Sequence, residues 1–244
     1  MTYTINLSGI LFSITIKSCL AIEKFRPFTI DSINSCRVDH LSDDEISRQM
    51  RILNNTPVQT RELMSLIVPV SDHLLKYHRC VIHGLSFSWK NNGFLFCGPS
   101  GVGKTTQFRL WQQLYKDEII ILNGDKPILE LSGMNSFILH PSPWTGKENL
   151  FTTNSMPLKG IVYLEQSEKN EIVRSDDTSF VIPLINEIFC SAESIELIDE
   201  VSTIIDRLIT NIPIWKLKNR GDLESAVLTH DTISSFLDSD RYVL

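Results

Sequence analysis

The chain has 244 residues, 42% of them apolar and 21% charged, with a formal net charge of −6. That is ordinary globular composition with ample material for a core, arranged as one large domain or a core with a smaller appendage. The acidic balance, with no basic cluster to override it, argues against nucleic acid as a partner, and no apolar run is long enough for a membrane-spanning helix.

The five cysteines, Cys19, Cys36, Cys80, Cys97 and Cys190, are odd in number and widely spaced, with no C-x-x-C pair. This pattern suits free thiols in a reducing compartment and offers no metal framework. The apolar stretch Ile10 to Ile16 lacks the basic flank and small-residue cleavage site of a signal peptide, so a cytoplasmic protein is expected.

Residues 4–17 alternate on a period of two, through Ile5 and Leu7 and then Ile10, Phe12, Ile14 and Ile16. Ser8-Gly9 interrupts the alternation, which predicts two short strands or one bulged strand. Arg26 to Pro57 reads as polar and irregular, apart from a short helix near Asp43 to Leu53. Residues 60–68 are apolar enough to be buried but too short to assign. Pro69 is expected to end them, and Ser71 to cap a short helix through Lys76. Residues 1–75 are read as an N-terminal lobe that supports or covers a catalytic domain over 76–244.

From Arg79 the pattern changes. Cys80-Val81-Ile82-His83-Gly84 and Leu85 to Trp89 look like strand pieces, and Lys90-Asn91-Asn92-Gly93 is a turn by composition. Phe94-Leu95-Phe96-Cys97 then reads as a buried strand running into Gly98-Pro99-Ser100-Gly101-Val102-Gly103-Lys104-Thr105-Thr106. Gly98 to Thr105 fits the phosphate-loop pattern G-x-x-x-x-G-K-[ST]. Thr106 to Tyr115 follows as a helix with Phe108, Trp111 and Tyr115 on one face. Strand, glycine loop and helix together are the context this motif needs, because backbone N–H groups and a helix N-terminus then point at an anion. A dinucleotide fingerprint beginning at Gly101 fails, since Thr106 stands where its third glycine belongs. The stretch is read as a nucleoside triphosphate site.

Glu118 to Leu122, apolar throughout after Glu118, predicts a buried strand, ending at Asn123-Gly124-Asp125. Ile128 to Leu139 predicts a hairpin around Ser132-Gly133-Met134-Asn135. His140 to Asn149 is a loop made irregular by two prolines. Leu158 to Leu164 predicts a strand. Phe180 to Phe189 predicts a helix interrupted near its start by Pro183. Ile195, Ile198, Val201, Ile205, Leu208 and Ile209 form a helical stripe. A strand from Ile212 to Leu217 and a helix from about Leu223 to Leu237 close the chain.

In such a loop Lys104 reaches the β- and γ-phosphates, and Thr105 places its hydroxyl on Mg²⁺. Phosphoryl transfer also needs an acid for the metal and a group that handles the nucleophile. Asp125 is the candidate for both. A strand directly after the phosphate-loop helix is expected to return beside the first, which brings its C-terminal end to the phosphates. The other reading of Asp125 is a turn residue that caps Lys126-Pro127. Lys147 reads equally as a second phosphate contact or a solvated lysine. His83 reads as a hydrogen-bonded core histidine or a site residue. His140, Asp72 and Glu165 have only a structural claim, and Asp176-Asp177 reads as a solvated run.

Arg79 to Thr106, with Val81-Ile82-His83-Gly84 upstream of the phosphate loop, resembles the catalytic domain of HPr kinase/phosphorylase. That family shares a distinct P-loop fold with the ATP-dependent phosphoenolpyruvate carboxykinases. An acid arriving on the very next strand is that group's order. Asn123-Gly124-Asp125 followed by Pro143-Trp144-Thr145-Gly146-Lys147 resembles, more closely, small HPr-kinase-like proteins of peptide-modification pathways, including those acting on lasso peptide precursors. So do Leu158 to Glu165, and Ile214 to Leu217 with its terminal helix.

The resemblance implies an α/β fold, a mixed sheet flanked by helices with an N-terminal β-containing lobe. It also implies ATP and Mg²⁺ as cofactors and phosphorylation of a serine hydroxyl on a peptide or small protein. It adds His83 to the site, makes Asp125 base or metal ligand and Lys147 a phosphate or substrate contact, and makes a homo-oligomer plausible. Three departures qualify it: Gly124 stands where the family has a first acid, Thr106 where an acid follows the loop, and the Glu–Arg signature of the bifunctional enzymes is not visible. HPr itself and a phosphorylase reaction are therefore not expected. The competing readings are a small-molecule phosphotransferase with the same residues, and a nucleotide-dependent regulatory module without chemistry.

Overall fold

The computed structural model describes residues 1–30, 38–175 and 178–240. Cys36 and the Asp176-Asp177 run lie outside the described residues. The N-terminal hairpin is two strands, β1 (Thr2–Leu7) and β2 (Ile10–Thr15), paired from Thr2↔Thr15 to Leu7↔Ile10. Ser8 and Gly9 turn it with φ of 52° and 90°, the left-handed pair that matches the twist of a two-residue hairpin. Ile5, Leu7, Phe12 and Ile14 are buried, as the alternation predicts.

The stretch that reads as irregular holds more order than its polarity suggests. Helix α1 (Cys19–Phe25) is capped by Ser18, β3 (Val38–His40) pairs parallel to β2, and α2 (Asp43–Ile52) is capped by Ser42. Residues 60–68 divide between α3 (Val58–Ser65) and α4 (Ile67–Leu75). Pro69 does not end a segment; it is the third residue of α4, in the first turn, where a missing N–H leaves no helical bond unmade. Ser71 caps nothing, and its hydroxyl accepts from Val81 N at 2.9 Å instead.

The remaining chain builds one large sheet. In order come β4 (Arg79–Val81), β5 (Leu85–Trp89), β6 (Asn92–Cys97), α5 (Lys104–Tyr115), β7 (Ile119–Asn123), β8 (Ile128–Ser132), β9 (Ser136–His140) and β10 (Met156–Gln166). Then follow β11 (Glu171–Ser175), α6 (Val181–Ile185), α7 (Ile195–Asn211), β12 (Ile214–Asn219) and α8 (Leu223–Asp240). The strand order is β4-β8-β9-β10-β6-β5-β7, with β12 also on β10 and β11 outside β12. The sheet is mixed: β10 runs parallel to β6 and β12, whereas β5 is antiparallel to both β6 and β7.

This order corrects one expectation. The strand after the phosphate-loop helix does not return beside β6, because β5 lies between them. Two antiparallel steps nevertheless leave β7 pointing the same way as β6, so its C-terminal end still reaches the phosphate-loop edge. As an edge strand β7 is not fully buried, and Ile120 is 48% exposed.

Strand alternation assigns the two faces of the sheet. Phe94 and Phe96 of β6 pack with Phe87, Phe108 and Trp111 on the face covered by α5 and α8. Leu95 and Cys97 pack with Ile204, Ile205 and Leu208 of α7 on the other. The stripe on α7 buries only from Val201 onward, and Ile195 is 74% exposed. Helix α6 is shorter than predicted, because Ile188 leaves it to bridge Ile82 in extended conformation. A buried polar tie joins the two helices of the first face: Gln107 donates to Thr229 Oγ1 at 3.3 Å and accepts from Ser225 Oγ at 3.0 Å.

A separate hydrophobic cluster gathers Ile5, Phe12, Phe25, Leu63, Leu66 and Leu74 of the N-terminal segment. It also takes in Val81, Ile128 and Trp144 from the later chain. The architecture is α/β, a mixed sheet flanked by helices with a small N-terminal sheet and its helices beside it. Among the described residues no helix is long and apolar enough to cross a membrane.

Candidate functional site

The phosphate loop leaves β6 through Gly98, where a Cβ would meet Leu164 O at 2.8 Å, so β10 passes too close for any side chain. Gly101 and Gly103 hold φ of 82° and 104°, conformations that favour glycine. A Cβ on either would meet nothing within 4 Å, so backbone conformation and not crowding calls for glycine here. Gly103 sits at the start of α5 without a side-chain cap, leaving first-turn N–H groups available to an anion. Lys104 is buried and folds over the loop, its Nζ donating to Gly98 O at 2.7 Å and Pro99 O at 3.2 Å. Burial holds its pKa below the ordinary lysine value, opposed first by the Glu187 charge and then by Cys97 and Asp125.

Across the opening, β7 ends in a turn organised by Asn123. This buried side chain accepts from Asp125 N at 3.0 Å and Lys126 N at 2.8 Å through Oδ1. Its Nδ2 donates to Ser142 O at 3.0 Å, which joins the turn to the following loop. The turn is thus capped by Asn123, and the Asp125 carboxylate points elsewhere. Its Oδ2 pairs with Lys126 Nζ, and its Oδ1 lies 3.5 Å from His83 Nε2. His83 Nδ1 is 2.6 Å from Glu187 Oε2.

The loop after β9 forms the third wall. Gly146 passes against Asp125, where a Cβ would lie 3.1 Å from the Asp125 Cβ. Lys147 is exposed at the rim, and Glu148 pairs with Arg109 of α5 at 2.8 Å. From the N-terminal side, Lys24 Nζ donates to Thr145 Oγ1 at 2.7 Å and Asn149 Oδ1 at 2.5 Å. Trp144 anchors the loop by donating its indole N–H to Leu63 O at 2.8 Å and meeting the Phe25 ring edge-on.

These walls enclose a cavity of about 440 Å³. Of the residues singled out in the sequence, His83, Ser100, Gly101, Gly103, Lys104, Thr105, Thr106, Asp125 and Lys147 line it. Gly98, Pro99 and Val102 do not: Gly98 packs against β10, while Pro99 and Val102 face a neighbouring recess with Tyr163 and Gln166. His140, Asp72 and Glu165 lie in other contacts, with Glu130 and Ser155, with Ser191 N, and with Lys216 respectively.

Two participants, Lys126 and Glu187, escape sequence reading, and Asn123 is legible only as part of the Asn123-Gly124-Asp125 strand end, without its role as the cap of the turn.

Among the described residues no group of three or more His, Cys, Asp or Glu side chains could hold a metal ion. Thr105 and Asp125 offer one hydroxyl and one carboxylate at the same cavity, a hard-oxygen set that fits Mg²⁺ sharing its shell with phosphates and water. The cavity bordered by Ser100, Gly101, Gly103 and Lys104 fits a polyphosphate.

No family model matches the sequence, and no curated protein matches it. Among solved structures, the chain is similar to the HPr(Ser) kinase/phosphatase from Coxiella burnetii, at 9% identity and a TM-score of 0.39. The match covers 66% of this chain and 98% of that one.

Proposed function

We propose that the chain is a Mg·ATP-dependent kinase that phosphorylates a serine hydroxyl of a peptide or small protein in the cytoplasm. One observation carries the reading: Lys104 and Thr105 of the phosphate loop share a single cavity with Asp125 and His83, which other strand ends deliver. A phosphate loop alone serves many activities; an acid and an imidazole facing it suit transfer to a hydroxyl.

The division of labour follows from chemistry. Glycine-loop N–H groups and the α5 N-terminus hold the phosphates, and Lys104 moves from its carbonyl contacts onto them. Thr105 and Asp125 would hold Mg²⁺ together with the phosphates, and the ion would supply charge neutralisation for phosphoryl transfer. Asp125 also accepts the proton of the acceptor hydroxyl, a contribution of about 10²–10⁴-fold for a general base. Lys147, exposed at the rim, contacts phosphate or acceptor. Residues 1–75 act as the supporting lobe, through the contacts of Lys24 and Leu63 with the loop that forms the third wall.

Candidate peptides incubated with Mg·ATP and the full chain test the reading by mass spectrometry, with gain of phosphate on serine as the expected result. Lys104→Ala and Asp125→Asn should each abolish it. Near-normal turnover in Asp125→Asn would remove Asp125 as the base. Phosphate appearing only on small-molecule hydroxyls would replace the peptide acceptor.

A further inference from the structure

Glu187 is 7% exposed, and its run Ile185 to Phe189 is otherwise apolar apart from Asn186. A carboxylate in such a place costs several kcal/mol unless it is paired and hydrogen-bonded. Its pairing is specific. Oε2 lies 2.6 Å from His83 Nδ1, and the Glu187 carbonyl accepts from His83 N at 2.7 Å. Side chain and backbone therefore join the same two residues, 104 positions apart, and the Ile82↔Ile188 bridge beside them fixes the register. A carboxylate at this distance accepts, so Nδ1 carries the proton and Nε2 is the ring nitrogen left for the cavity. There it stands 3.5 Å from Asp125 Oδ1.

The position next to Asp125 cannot supply a second carboxylate. A Cβ at Gly124 would approach the Thr145 and Leu150 carbonyl oxygens at 2.9 and 3.1 Å. The Glu187 charge is also the foremost one opposing the effect of burial on Lys104.

We propose that Glu187 is the second acid of this site, a positioning residue that fixes the His83 ring through Nδ1 and aims Nε2 at Asp125 and the cavity. The proposal rests on reading the cavity as a phosphotransfer site. Outer partners of metal-bound imidazoles set the tautomer and direction of the ring, and their loss costs about 10–100-fold; an imidazole facing this cavity depends on its carboxylate in the same way.

The test uses the full chain with ¹⁵N-labelled histidine. Without nucleotide, long-range ¹H–¹⁵N correlation at neutral pH should show Nδ1 of His83 as the protonated nitrogen. Glu187→Gln should weaken that preference and Glu187→Asp should keep it. With Mg·ATP alone, turnover to ADP should fall about 10–100-fold in kcat for Glu187→Gln, with KM changed less than about threefold, and Glu187→Asp should recover part of it. In a His83→Asn background, Glu187→Gln should cost little more.

A wild-type ring protonated at Nε2 alone, with Nδ1 bare, would overturn the proposal, whether or not the Gln variant folds. So would unchanged kcat in a folded Glu187→Gln. A ring protonated at both nitrogens keeps the Nδ1–Glu187 bond and supports the proposal. A wild-type chain with the expected tautomer that turns over no ATP and phosphorylates no peptide would sink the phosphotransfer reading while supporting the Glu187–His83 geometry.

Discussion

The backbone carbonyls of Thr145 and Leu150 close over Gly124 so tightly that a Cβ there would lie 2.9 Å from the first. Gly124→Asp should therefore not add a working carboxylate beside Asp125. It should push the third wall away and cost about 1–3 kcal/mol, read as a lower melting temperature with no gain in turnover. A second residue-scale expectation concerns His140, whose Nε2 donates to Glu130 while Nδ1 accepts from Ser155. Burial lowers its pKa below 6.5, against the pull of Glu130. The unfolded chain then binds this proton first, so stability is lost as pH falls from about 6.5 towards the folded value, by at most about 1.4 kcal/mol per pH unit. Urea titrations at pH 7.5 and 5 should show the wild-type advantage over His140→Gln shrinking in acid. Gly124 is legible in the sequence as a glycine beside Asp125, but the reason only glycine fits there is not. The two carbonyls that crowd it lie in a loop reached only after a hairpin, and no local pattern encodes that approach. Glu187 is hidden for the same reason.

Among the elements, turns with a strong local signature are the legible ones. Lys90 and Asn91 carry φ of 50° and 60°, the turn their composition predicts between β5 and β6, and Ser132 to Ser136 closes the β8–β9 hairpin. What local signals could not supply was neighbour choice: β5 intrudes between β6 and β7, and Pro69 is absorbed into a helix start. The loop from Pro141 to Leu150 depends on such choices. Its anchor Trp144 fills the N-terminal core, so Trp144→Ala should destabilise the chain by about 3–5 kcal/mol in denaturant titration. Lys24 holds the same loop by its ammonium, although burial lowers its pKa. Lys24→Met should leave the melting temperature nearly unchanged and speed amide exchange over 145–149, as measured by mass spectrometry. Unchanged exchange there would mean that Trp144 alone fixes the wall.

Across the whole molecule, the site joins parts that no single element contains: a glycine loop, two strand ends, a proline-bound loop and an acid beyond α6. If the cavity takes nucleotide, binding stabilises the entire fold. At about 100 times Kd the gain is about 2.7 kcal/mol, or roughly 5–10 °C in Tm for a chain of this size. Lys104→Ala should abolish the shift with Mg·ATP, which thermal scanning with and without ligand checks. The sequence placed the cradle and Asp125 because both belong to contiguous motifs, whereas the supports of Asp125 and His83 depend on the finished sheet. The pairing of His83 with Glu187 across 104 residues has a further consequence in time. A ribosome releases the anion cradle long before it releases the acid that steadies the imidazole, and β12 and α8, which complete the sheet and one helical layer, come later still. If the cavity serves phosphotransfer as proposed, a nascent chain acquires the sequence to hold phosphate well before it can assemble the groups to move it, and competence arrives only with its last quarter.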